Sequence, residues 1–127
     1  MADYKQRFEQ ITQKFNDDAD AWKRLRNAID QYLNRTGLAK ATKARQEGDT
    51  DLVITWAGKE IEWRYFFRHD ADSFVNGNEI LRDGNRHGLG SISIRPSEVE
   101  TADGTFPINE VGGEHSFFTL IGLIERA

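Results

Sequence analysis

The sequence predicts an α+β fold: two or three N-terminal helices packed on one face of an antiparallel sheet of about five to six strands. Three observations carry this. Apolar residues up to Leu33 recur at spacings of three and four. From Asp51 onward they recur at two. The second half is punctuated by Asn76-Gly77, Asp83-Gly84, Asp103-Gly104 and Gly112-Gly113. The change of period divides the chain into a helical layer, residues 1–48, and a sheet layer, residues 51–127. Both are expected in a single domain, because 127 residues leave little room for a second.

The first helix is marked by Phe8, Ile11 and Phe15, and Asn16-Asp17-Asp18 breaks the pattern. Asp17 or Asp18 then reads as the cap of a second helix, since a carboxylate accepts hydrogen bonds from the open amides of a first turn. Trp22, Leu25, Ile29 and Leu33 form its buried stripe, and Gly37 stands where a left-handed C-cap belongs. Leu38–Gln46 is rich in Ala and Lys and reads as a short third helix ending at Gly48.

Leu52, Ile54 and Trp56 share one face of a strand. A tight turn at Gly58-Lys59 leads to Ile61, Trp63, Tyr65 and Phe67 on one face of the next. Shorter strands are expected at Ser73–Val75, Glu79–Arg82, Ser91–Arg95, Val99–Thr101 and Thr105–Ile108. A last strand, His115–Glu125, is apolar on both faces and belongs inside the sheet. The amphipathic helices must bury their stripes, and the apolar face of the sheet is the surface that can receive them.

Composition limits the function classes. There is no cysteine, which excludes disulfides, thiolate metal sites and a cysteine nucleophile. Residues 1–15 alternate charged and apolar side chains and do not read as a signal peptide, and no run approaches the ~20 apolar residues of a membrane span. A soluble, cytoplasmic protein is the expectation. Residues 1–50 carry ten Lys/Arg against eight Asp/Glu, and residues 51–127 carry seven against thirteen, so the halves balance at +2 and −6.

Three places could hold chemistry. His69, Asp70 and Asp72 follow the second strand, where imidazole and carboxylates can ligate a metal or move protons; His87 and His115 could join them only through the fold. The plainer reading is a polar turn. The loop Gly84–Gly90 combines glycines with Arg86, but it lacks the following helix that a phosphate-binding loop needs and reads as a hairpin connection. No cofactor or metal is assigned. Between Ala21 and Gln46, seven cations, Lys23 and Arg26 among them, face a single acid, Asp30. That surface could meet phosphates, an acidic protein, or only water. Phe66 falls on the strand face shared by Glu62 and Arg64, and a large ring there is either covered or a binding anchor.

Helices leading into a curved antiparallel sheet resemble the cone-shaped NTF2-like fold in length and order. The resemblance implies a pocket between helices and sheet, used for a ligand or for catalysis. The leading expectation from the residues themselves is different: a small protein-binding module of the inhibitor, immunity or adaptor type, acting by charge-complementary association and without catalysis. Its binding candidates are Phe66, Glu62, Arg64, Lys23 and Arg26. A small enzyme or ligand-binding protein using His69, Asp70, Asp72, His87 and His115 is the alternative, and nucleic-acid binding through the basic run is a third. The sequence leaves open a homodimer through a sheet edge or a helix face.

Overall fold

A computed structural model describes residues 3–48, 50–101 and 104–108. The helical layer is one helix, not two or three: α1 spans Tyr4–Thr36 without interruption, 33 residues and about 50 Å at the usual rise. Asp3 caps it, accepting from the Gln6 amide at 3.0 Å, and Gly37 closes it in the expected left-handed conformation. Asn16-Asp17-Asp18 does not break it. Asp18 turns inward, where partners from elsewhere in the fold satisfy its carboxylate, so it neither caps nor stops the helix.

The expected third helix is also replaced. Leu38–Lys40 forms a single 3-10 turn, and β1 (Thr42–Glu47) pairs antiparallel with β2 (Asp51–Trp56) from Thr42↔Trp56 to Glu47↔Asp51. Ala and Lys are good helix formers, but intrinsic propensity is small against tertiary context, and the ladder offered by β2 outweighs it. β2 turns into β3 (Lys59–Phe66) through Ala57 and Gly58, both at positive φ, which places the turn one residue earlier than expected.

β4 is continuous from Ser73 to Ile80 and fuses the two short strands expected there. Asn76-Gly77 is therefore no turn. It lies mid-strand, beside a register shift between Gly77 and Asn78 against β5. The turn at Leu81–Asn85 occurs as expected, held by Asp83, whose carboxylate accepts from the Asn85 amide at 2.9 Å. The glycine-rich stretch from Arg86 is itself strand, part of β5 (Arg86–Ile94). β6 (Glu98–Thr101) and β7 (Gly104–Pro107) complete a seven-stranded meander in sequence order, more than the five to six strands expected. Asp103, the Gly112-Gly113 turn and the strand expected at His115–Glu125 lie outside the described residues.

The sheet curls around the C-terminal half of α1. Trp22, Leu25, Ile29 and Leu33 pack with Leu52, Ile54, Ile61, Trp63, Val75, Ile92, Ile94, Val99 and Ile108, all nearly inaccessible. Trp22 Nε1 donates to the Thr50 carbonyl at 2.7 Å, which gives the buried indole its partner. Every buried residue of α1 lies at Asp18 or beyond. The first three turns or so of the helix project past this core.

Candidate binding surface

The projecting part of α1 carries four large apolar side chains on one stripe. Tyr4 is 74% exposed, Phe8 71%, Ile11 36% and Phe15 47%. The stripe continues inward as Asp18, Trp22, Leu25, Ile29 and Tyr32, with spacings alternating four and three throughout. This is a heptad seam in unbroken phase. Its C-terminal half is filled by the chain's own sheet. Among the described residues its N-terminal half is not, apart from an edge-to-face contact between Phe15 and Phe67 with ring centroids 5.2 Å apart.

The two halves meet at Asp18, the polar member of the seam. Its carboxylate is buried and accepts from Lys14 Nζ at 2.5 Å and from Ser73 Oγ at 2.8 Å. Ser73 Oγ in turn accepts from the Arg68 amide at 3.1 Å, and Lys14 donates to the Arg68 carbonyl at 2.7 Å. One carboxylate thus ties the helix to the connection between β3 and β4.

Tyr65 lies beside this cluster, its hydroxyl buried and without a hydrogen bond of good geometry. Burial, and then the charge of Asp18, push the phenol above its ordinary 10.0, while the Ser73 hydroxyl pulls the other way. The folded chain therefore holds the Tyr65 proton at alkalinities where the unfolded chain has released it. That contribution is intact below 10.0 and declines as pH rises from there through the folded-state value. In a phenolate absorbance titration a late-ionising tyrosine is expected, and Tyr65→Phe removes it. An unchanged titration curve for Tyr65→Phe would contradict this assignment.

Two hollows flank the Asp18 junction. One, about 340 Å³, lies between Gln10, Gln13 and Asp17 of α1 and the Ile94–Pro96 segment. The other, about 430 Å³ and apolar, lies between Phe15, Ala19 and Trp22 and the sheet residues Tyr65 and Phe67. The cations of the first are engaged: Lys14 with Asp18, and Arg95 with Asp72, Glu98 and Glu100 at 3.2, 3.0 and 2.8 Å.

The residues singled out from sequence are scattered. His69 and Asp70 are exposed in the bend after β3, with Asp70 4.0 Å from Arg68, and Asp72 pairs with Arg95. His87 is exposed on β5 opposite Glu79, about 20 Å from the His69 end of β4 by strand rise. His115 lies outside the described residues. Among the described residues no group of three or more His, Asp or Glu converges as a metal site would require. Phe66 is 40% exposed and stacks on Phe74 on the outer face of the sheet, with centroids 5.2 Å apart. Glu62 and Arg64 share that face within a lattice of ion pairs, Glu62 being 3.3 Å from Arg86 and Arg64 3.6 Å from Asp51.

The basic run does not form one surface. Lys23 is exposed, but Arg26 is buried, donating to the Gly48 carbonyl at 3.3 Å and lying over the Trp22 ring. Arg24 is bound to Asp20 and to the Pro96 carbonyl, and Lys43 and Arg45 lie on β1 instead of a helix. Arg26 as a surface contact is corrected accordingly: its long stem covers core side chains and its head serves a loop carbonyl.

Sequence reasoning placed Phe8, Ile11 and Phe15 on a stripe that must be buried and left out Tyr4. The signal that finds the projecting seam is the unbroken four–three spacing running through Asp18. Comparison with known protein families, characterised proteins and solved structures found no match to this chain in any of the three. The NTF2-like resemblance therefore rests on layer order alone.

Proposed function

We propose that this chain is a small protein-binding module, of the inhibitor, immunity or adaptor kind, that docks its partner on the projecting half of α1 without catalysis. The observation behind this reading is the exposed seam of Tyr4, Phe8, Ile11 and Phe15. At these exposures the seam offers on the order of 450 Å² of apolar surface, comparable to the largest patch on a typical monomer, a kind of patch that is often functional. The acidic sheet half supports the charge-complementary version less well. Asp51, Glu60, Glu62, Asp72, Glu98 and Glu100 share four arginines, Arg45, Arg64, Arg86 and Arg95, within 4.0 Å, so part of their charge is answered within the chain. The separate, solvated His69 and His87, and a basic run split between α1 and β1, give the enzyme and nucleic-acid alternatives less support.

The test is affinity capture from lysate of the source cell, with and without nuclease, using the wild-type chain and Phe8→Ser/Ile11→Ser. The variant residues are exposed, so unfolding stability is expected to stay within about 0.5 kcal/mol per site. A stoichiometric protein should survive nuclease with the wild type and be lost from the variant. Identical recovery with both chains, or recovery abolished by nuclease, would remove the proposal.

A further inference from the structure

We infer that the projecting seam accepts an amphipathic helix whose own apolar ridge is flanked by carboxylates; this rests on the reading of the seam as a docking surface. With Phe8 and Phe15 at heptad position a and Tyr4 and Ile11 at position d, the flanking e and g positions are Lys5, Arg7, Thr12 and Lys14. Those are the positions that meet a partner helix across a two-stranded seam. No carboxylate stands there; Glu9 and Asp17 fall on the outer face instead. Lys14 is committed to Asp18 and the Arg68 carbonyl. Lys5 and Arg7 have no ion-pair partner among the described residues, so they are the groups left to read the partner.

A second copy fits poorly. In a parallel or antiparallel pair of copies, Lys5, Arg7 and Lys14 meet only one another, Thr12 or Ala19. Like charges brought face to face along the seam oppose that pairing, and no carboxylate at e or g answers them. A membrane surface fits poorly as well. Residues 3–18 carry three cations against four carboxylates, a balance of −1, whereas binding to anionic lipid is driven by net positive charge. The seam is also a narrow a/d ridge and not the broad apolar face of an interfacial helix. An acidic partner helix would instead set carboxylates against Lys5 and Arg7, the cations that flank the seam. It would cover about 18 Å of α1 before the seam passes into the sheet at Asp18.

The experiment uses two synthetic peptides with the same leucine seam, one with Glu and one with Lys at every flanking position, titrated against the full chain by fluorescence anisotropy. The Glu peptide is expected to bind about tenfold tighter, the scale of two or three exposed charge pairs changing sign. Added salt should narrow the difference, Lys5→Glu/Arg7→Glu should reverse it, and Phe8→Ser should abolish binding of both peptides. Equal binding of the two peptides would overturn the acidic-partner assignment and leave the docking reading standing. Binding of neither peptide to a monomeric chain would overturn both. A concentration-dependent dimer lost in Phe8→Ser would assign the seam to a second copy. Co-sedimentation with phosphatidylserine vesicles lost in the same variant would assign it to lipid. An Ile11→Cys thiol, unique in this cysteine-free chain, that stays unreactive in the monomer would assign it to another part of the same chain. Each of these last three outcomes would overturn the proposal.

Discussion

Replacing Gly77 by alanine is expected to cost about 3 kcal/mol, lowering the unfolding midpoint by roughly 10 °C. Gly77 sits opposite Trp63 in the β3–β4 ladder, with the six-membered ring of the indole filling the space where a Cβ would stand. A Cβ added there would stand 2.5 Å from Cζ3, 2.6 Å from Cη2 and 2.8 Å from Cε3 of that ring. Trp63 is fully buried and cannot swing away without opening the core. The comparison that tests this is a double-mutant cycle with Trp63→Leu, followed by urea unfolding. Once the ring is gone, Gly77→Ala should cost less than about 1 kcal/mol. Additive costs would mean that glycine is needed for its backbone and not for the space above it.

Asp18→Ala is expected to lose about 2–3 kcal/mol. The substitution leaves the Ser73 hydroxyl without its buried acceptor and Lys14 without its counter-ion, although Lys14 is 32% exposed and can rehydrate. Asp18→Asn keeps an acceptor for Ser73 and should cost about 1 kcal/mol. Asp17→Ala is the control. Asp17 is exposed and, among the described residues, its carboxylate accepts only from Gln13, so its removal should stay within about 0.5 kcal/mol. Equal costs for Asp17→Ala and Asp18→Ala in denaturant unfolding would refute the role assigned to the junction. The Asp18 variants should also show faster amide exchange at Arg68, whose N–H is held by Ser73.

The layer order and the central hairpin were legible because their signals are local. Leu52, Ile54, Ile61 and Trp63 alternate at the period of a strand, Gly58 marks the turn, and Gly37 marks the end of the helix. Each of these residues behaves as its near neighbours dictate. The errors share a different cause. Asp18 looks like a helix breaker until Lys14 and Ser73 are seen to satisfy it. Gly77 looks like a turn until Trp63 is seen above it. Leu38–Gln46 looks helical until β2 is found beside it. In each case a partner distant in sequence reverses a local preference. The exposed seam was half legible: its apolar residues were evident, but the rule that such a stripe must be buried by its own chain concealed that, among the described residues, only the half beyond Asp18 is. Lys23 and Arg26 were read together as one charged face, whereas one is solvated and the other packs into the core.

The meander has a consequence for how the chain is made. Each strand pairs with the one synthesised just before it, from β1 through β7. A ribosome that releases the chain from its N-terminus therefore delivers the ladder partners of β1 to β7 in order, and none of these seven strands waits for a distant mate. The exception is α1, which precedes the strands and whose apolar stripe beyond Asp18 finds its cover only as β2 to β6, and lastly Ile108, follow. During that interval the whole seam, from Tyr4 to Tyr32, is open. A nascent chain stalled before β3 should accordingly be the species most readily bound by chaperones, and one stalled after β6 should be bound least.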